Sequence, residues 1–215
     1  MQKTIDLQLT ATYETYGNLT AETETIIVAF HGYGQLAKYF IRKFNFLDAA
    51  KYYVIAPQGL SKFYLNNHTR VGASWMTKED RELDLKNQLH YVQTVFETET
   101  KGVDWTTKKL IVFGFSQGTA TVSRWVATFK IQFDKFIAWG GQLGFELTVA
   151  DFDFVKNDAK TLMLLGDKDE FYNGENVEKM EIAFKTVFPK GEFEMYEGKH
   201  EIIVDSLQWA VDSLQ

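Results

Sequence analysis

The chain has 215 residues, 45% of them hydrophobic and 24% charged, which are the proportions of a soluble globular protein and exclude disordered, collagen-like and low-complexity architectures. Lys and Arg number 23 against 29 Asp and Glu, a net charge of −6, and no basic tract offers a footprint for nucleic acid. Cysteine is absent, which excludes disulfide frameworks, Cys-based zinc sites and a thiol nucleophile and suits a reducing, cytoplasmic setting.

Residues 5–13 alternate, with Ile5, Leu7, Leu9, Ala11 and Tyr13 on one side and Asp6, Gln8, Thr10 and Thr12 on the other. Period two predicts a half-buried antiparallel strand. Asp6 and Gln8 also break the apolar run that a secretory leader needs. No segment approaches the roughly 20 apolar residues of a membrane span. Gly17-Asn18 marks a turn. Short continuous apolar runs follow, the mark of strands covered on both faces. They are Ile26 to Phe30, Tyr52 to Ala56, Leu110 to Phe113, Phe136 to Trp139, Leu162 to Leu165 and, more weakly, Phe193 to Tyr196.

Helical spacing separates these runs. The stripes are Leu36, Phe40, Phe44 and Leu47; Leu85, Leu89, Val92 and Phe96; Val177, Met180, Phe184 and Phe188; and Ile203, Leu207, Ala210 and Leu214. Strand–helix alternation predicts an α/β fold: a mostly parallel sheet, helices on both faces and an antiparallel N-terminal strand. No repeat or linker divides the chain, so one domain over 1–215 is expected. Ligands of such sheets bind beyond the carboxyl ends of the strands.

One strand end carries a motif. Gly114-Phe115-Ser116-Gln117-Gly118 is Gly-x-Ser-x-Gly between a strand pattern and a helix pattern. A one-residue reversal forces the serine into a strained conformation, and small residues two positions away let the chain pass. The hydroxyl then projects from the sheet above a helix N-terminus, where dipole and free amides favour negative charge. The bland alternative is an ordinary serine N-cap.

A serine nucleophile needs a base and a carboxylate behind the base. His90 falls in a charged helical stretch and His68 in the polar loop Asn66-Asn67-His68-Thr69-Arg70, so both read as solvated. His31 ends a buried run. The order serine, acid, histidine expected of this elbow selects His200, in Glu197-Gly198-Lys199-His200. After strand 162–165, Asp167, Asp169 and Glu170 all compete as the carboxylate. An oxyanion hole needs two N–H donors: one from Gln117, the other from the glycine loop His31-Gly32-Tyr33-Gly34-Gln35.

Together, His31-Gly32-Tyr33-Gly34, the Ser116 motif, Gly166-Asp167-Lys168-Asp169 and Gly198-Lys199-His200 resemble the phospholipase/carboxylesterase family of α/β-hydrolases from about residue 26 to 215. The resemblance implies an α/β-hydrolase fold. It implies Ser116 as nucleophile, Asp169 as triad carboxylate and His200 as base, with Tyr33 and Gln117 as oxyanion-hole amides. Ser74-Trp75-Met76 resembles the segment beside the acyl pocket, and Gly140-Gly141-Gln142-Leu143-Gly144 loosely resembles a further family turn. Trp75, Met76 and Leu143 are therefore expected against substrate. Gln35, where an acidic residue often stands, and Lys199, where a small one does, depart from the family pattern without removing a catalytic atom.

The implied activity is a serine hydrolase cleaving carboxylic esters, thioesters included, of short-to-medium acyl chains. The alternatives are lysophospholipase or acyl-protein thioesterase activity, or a non-catalytic ligand-binding protein on the same fold. No cofactor or metal is called for, and the expected partner is a small-molecule ester. The 21 residues 140–160 are too short for a cap domain. The stretch 57–76, with Leu60, Phe63, Tyr64 and Leu65, is the expected cover of the site.

Overall fold

The computed structural model describes residues 1–172 and 174–212. In chain order its strands are β1 (Tyr13–Tyr16), β2 (Thr25–Phe30), β3 (Tyr52–Pro57), β4 (Ser61–Leu65), β5 (Arg70–Ser74), β6 (Lys109–Phe115), β7 (Lys135–Trp139), β8 (Lys160–Gly166) and β9 (Glu192–Tyr196). Its helices are α1 (Ala37–Phe40), α2 (Arg81–Glu99), α3 (Gln117–Phe129), α4 (Glu175–Val187) and α5 (Val204–Asp212). Seven strands form one sheet in the order β1-β3-β2-β6-β7-β8-β9. Every neighbouring pair is parallel except β1 with β3.

The continuous apolar runs become strands because both faces of the sheet are covered. Ile26, Val28 and Phe30 of β2 pack in one layer with Leu89 and Val92 of α2, Trp125 of α3 and Phe184 of α4. Ile27 and Ala29 pack in the other with Phe40 of α1 and Leu207 and Ala210 of α5. Fully burying a large apolar side chain contributes about 1.5–3 kcal/mol. Trp125, Trp139, Phe113 and Phe136 are all fully buried, so this sandwich dominates the stability of the strands that carry the site.

Three segments differ from the sequence reading. The alternating residues before Tyr13 form no strand, and Ile5, Leu7 and Leu9 are 87%, 74% and 61% exposed. β1 begins where its ladder begins: Tyr13 lies opposite Pro57, the last residue of β3, and one step further the Tyr91 hydroxyl intervenes, accepting from Gln58 N–H (3.1 Å) and donating to Thr12 O (2.7 Å). Alternation creates an apolar face, but a strand also needs a neighbour. In the stripe from Leu36 to Leu47, Phe40, Phe44 and Leu47 are buried and Leu36 half-buried, yet α1 stops after one turn and tightens into a 3-10 turn at Ile41–Phe44. Leu36 gives the helix no side-chain cap and its first turn carries no acid, so nothing favours a longer regular helix over the tighter turn.

The expected loop 57–76 contains a hairpin, β4 paired with β5, reversed through Asn66, Asn67 and His68, all at positive φ. Gly34 N–H donates to Ala73 O (2.8 Å) and Ala73 N–H to Gln35 O (3.1 Å), so the hairpin is sewn to the loop after β2. The connection from β7 to β8 holds one 3-10 turn, Val149–Phe152, closed by a capping box between Thr148 and Asp151. Leu214, the last apolar position of the C-terminal stripe, lies outside the described residues.

Candidate active site

The parallel strands direct their carboxyl ends to one edge. From β2 the chain moves outward to β3, then returns to β6 and proceeds the other way to β9, so the sheet switches direction between β2 and β6. A crevice opens at such a switch point. The last ladder pair there is Phe30 with Gly114. Two residues further on each strand stand Gly32 and Ser116, side by side.

Ser116 has φ +53° and ψ −121°, a conformation that costs about 1–3 kcal/mol. The surrounding contacts hold it. Its N–H donates to Trp139 O (2.8 Å), its carbonyl accepts from Thr119 N–H (3.0 Å), and the Thr119 hydroxyl donates to Gly114 O (2.8 Å). The flanking glycines are required by close approach. A Cβ at Gly114 would stand 2.5 Å from Thr119 Cα, and one at Gly118 would stand 2.3 Å from Phe30 O.

The acid and histidine loops leave adjacent strands, β8 and β9, and are stitched together. Asp167 N–H donates to Tyr196 O, Lys168 N–H to Gly198 O, and the Asp167 carboxylate accepts from Gly198 N–H, each at 2.9 Å. Asp167 is therefore spent on the backbone, and Glu170 is exposed. Asp169 is the acid that meets the histidine: its Oδ2 lies 2.7 Å from His200 Nδ1, with its side chain wholly buried. Its Oδ1 accepts the Phe171 N–H (2.9 Å). The imidazole lies between Phe115 and Phe171, ring centroids 5.0 and 4.7 Å away. Bonding of Nδ1 to a carboxylate assigns the proton there and leaves Nε2 as the basic nitrogen on the opposite edge. No hydrogen bond joins Nε2 to Ser116 Oγ among the described residues; in ligand-free enzymes such bonds are often long and close with substrate.

Tyr33 N–H and Gln117 N–H have no hydrogen-bond partner among the described residues, although their neighbours Gly32, Gly34 and Thr119 do. The Gln117 side chain turns the other way. Its Nε2 donates to Ser74 Oγ and Met76 O (both 3.0 Å) and its Oε1 accepts from Trp75 N–H (3.1 Å). It thus clasps the segment after β5 to the elbow.

Ser116, His200 and Tyr33 line one cavity of about 390 Å³, together with Gln35, Phe171 and Tyr172. Asp169 stands behind His200, outside that lining. None of the three residues expected against substrate lines that cavity. Trp75 is fully buried beneath the site, its indole N–H donating to His31 O (2.7 Å) and its ring against Phe30 and His31. Met76 contributes its carbonyl to the Gln117 clasp and does not line the cavity. Leu143 packs against the core layer. A large aromatic next to two β-strand residues goes where the most apolar surface can be covered, which here is the core. Phe171 and Tyr172 line the cavity instead; the only sign in the sequence is an aromatic pair directly after the acid loop. His68 and His90 are both exposed.

His31 is buried and supports the loop after β2. Its Nδ1 lies 2.8 Å from Gly32 O, and its Nε2 accepts from Gly59 N–H (3.0 Å). Burial pushes its pKa down to about 4, so the ring is neutral near pH 7. Among the described residues, no group of three His, Asp or Glu is placed to hold a metal ion, and no helix is long and apolar enough to cross a membrane.

A mostly parallel sheet with an antiparallel first strand, helices on both faces and a strained residue at the strand–helix elbow defines an α/β-hydrolase fold. The sequence profile of the Phospholipase/Carboxylesterase family matches residues 17–215, and the chain belongs to that family. Solved structures share the fold. Acyl-protein thioesterase 2 of Zea mays superposes with a TM-score of 0.69 at 16% identity, over 96% of this chain and 100% of the other. SOBER1 of Arabidopsis thaliana gives 0.65 at 18% identity, over 89% and 97%. A phospholipase/carboxylesterase from Dyadobacter fermentans gives 0.61 at 18% identity, over 95% and 96%. No curated protein sequence matches the chain.

Proposed function

We propose that this protein is a serine hydrolase that cleaves carboxylic esters, thioesters included, of short-to-medium acyl chains through an acyl-enzyme on Ser116. The observation that carries the reading is the 2.7 Å contact of the buried Asp169 carboxylate with His200, whose ring shares a cavity with Ser116. In this reading His200 Nε2 takes the Ser116 proton as the oxygen attacks the carbonyl carbon. The Tyr33 and Gln117 amides receive the developing oxyanion; loss of one such donor typically costs about 10²–10³ in kcat. Asp169 orients the imidazole and stabilises its charged form. The proton passes from Nε2 to the departing oxygen or sulfur, and water repeats the sequence on the acyl-enzyme.

The exposed aromatic Phe171 and the apolar faces of Tyr33 and Tyr172 suit an acyl chain of modest length at an open cavity. The absence of cysteine supports placing the enzyme in the cytoplasm. The test is Ser116→Ala assayed with p-nitrophenyl acetate and butyrate, alongside labelling by a fluorophosphonate probe. The reading expects turnover and labelling to vanish together in the variant. Undiminished turnover in the variant removes Ser116 as the nucleophile, and a wild-type protein that neither turns over nor labels overturns the reading in favour of a non-catalytic binding protein.

A further inference from the structure

A second and larger cavity, about 680 Å³, adjoins the first and shares Gln35, Phe115 and His200 with it. Its charge runs against that of the chain. The protein carries a net charge of −6, yet this cavity is lined by Lys38, Lys43 and Arg70 against Glu201 alone. Lys38 and Lys43 come from one continuous helical stretch, α1 and the 3-10 turn that continues it, and Arg70 from the first residue of β5. Arg70 reaches the cavity from the hairpin, so a solvated helix face does not by itself account for the cluster. None of the three lies within ion-pair distance of a carboxylate among the described residues, and neither does Glu201 of a cation. Lys43 Nζ donates to Ile202 O (3.1 Å), which fixes that wall two residues from the histidine. Gln35 supplies the acceptor for Gly32 N–H (2.8 Å) with an uncharged amide, so the wall shared by the two cavities carries no added negative charge.

The position of this cavity assigns it a side of the scissile bond. When the acyl–oxygen bond breaks, the electron pair leaves with the alcohol oxygen, and that oxygen takes the proton held on His200. The alcohol portion therefore sits on the histidine side of the carbonyl carbon. One wall of the basic cavity is His200, Glu201 and Ile202. A cleft lined by one sign of charge concentrates ligands of the other.

Resting on the esterase reading of Ser116, we infer that this cavity is a leaving-group subsite selecting esters whose alcohol portion carries an anion, a carboxylate or a phosphate. The test compares four butyryl or related esters on the purified protein. One is p-nitrophenyl butyrate, with a neutral leaving group. The second is 3-carboxy-4-nitrophenyl butyrate, the third a butyryl ester of glycerol 3-phosphate, and the fourth p-nitrophenyl hydrogen glutarate, with the charge on the acyl side. The double variant Lys38→Gln/Arg70→Gln changes exposed side chains only. Relative to wild type, it should lower the ratio of kcat/KM for the charged-alcohol esters to that for p-nitrophenyl butyrate about tenfold. The same ratio should fall in wild type as salt is raised to about 0.5 M. The second and third esters tell carboxylate from phosphate selection.

An unchanged ratio in the variant overturns the subsite, as does a fall seen only with the glutarate ester, which would place charge selection on the acyl side. If wild type hydrolyses p-nitrophenyl butyrate while the ratio stays flat, the esterase reading survives and the subsite alone falls. If no ester is hydrolysed and the probe does not label, both fall together.

Discussion

His31 Nδ1 lies 2.8 Å from the carbonyl oxygen of Gly32, and that carbonyl belongs to the same planar peptide as the Tyr33 N–H. In a trans peptide C=O and N–H point opposite ways. A bond that holds Gly32 O toward His31 therefore aims Tyr33 N–H away from it. Gln35 N–H donates to the same carbonyl (3.2 Å) and reinforces the orientation. A buried histidine that touches no reacting atom thus positions a donor of the proposed oxyanion hole.

Replacing His31 with Gln should accordingly lower kcat about 10- to 100-fold with KM nearly unchanged, because a misaimed oxyanion donor is felt mainly in the transition state. Steady-state kinetics on p-nitrophenyl butyrate checks the split. A rise in KM at constant kcat would show that the ring shapes substrate binding instead.

The same residue makes stability depend on pH. Burial lowers its pKa from 6.5 to about 4, and Nε2 already accepts the Gly59 N–H. Between those values the unfolded chain binds a proton that the folded chain does not. Stability from this group is therefore complete above about pH 6.5 and declines as pH falls toward 4, by about 3 kcal/mol in total. Denaturant titrations at pH 7, 5.5 and 4.5 should show a steeper loss for the wild type than for His31→Gln. Parallel losses would remove His31 as the cause.

Two of the acids after β8, Asp169 and Asp167, should separate by role. Asp169→Asn should lower kcat about 10³- to 10⁴-fold, since an amide cannot stabilise the imidazolium and favours the wrong tautomer. Asp167→Asn retains an oxygen able to accept the Gly198 N–H, so its kcat should stay within about threefold of wild type. Equal losses in the two variants would contradict the assignment of His200's partner.

Tyr196 holds the turn that carries His200. Its hydroxyl lies 2.9 Å from Lys199 O and 2.6 Å from Glu201 O, the carbonyls on either side of the histidine, and the Trp139 indole donates to the same hydroxyl (3.0 Å). Tyr196→Phe keeps the ring and removes this node. Stability should fall by about 1–2 kcal/mol and kcat by about tenfold, read by denaturant unfolding and by steady-state rates. An unaltered kcat would mean that the turn is held by its backbone alone.

The strands of the parallel sheet were legible because two-sided burial writes an unbroken apolar run, as in Ile26 to Phe30. The elbow was legible because close approach at Gly114 and Gly118 demands glycine whatever surrounds it. Residues 5–11 show the limit of pattern: alternation states which side would be buried, and only the end of the ladder at the Tyr13–Pro57 pair decides that no strand pairs with them. Trp75 shows it again, since a hydrophobic residue is equally at home under a site or in it.

From its own order of residues the chain determines local facts: which segments extend, where the backbone must bend sharply, and which side chains can carry protons. These depend on neighbours a few positions away. Spacing left Asp167, Asp169 and Glu170 open and only the family resemblance pointed to Asp169, whose contact with His200 belongs to the folded chain, and the folded chain alone decided that Phe171 and Tyr172 wall the cavity and that Lys38 and Arg70 come to the same cleft. Those outcomes turn on distances between residues dozens of positions apart, which sheet order and packing set and which no local pattern encodes.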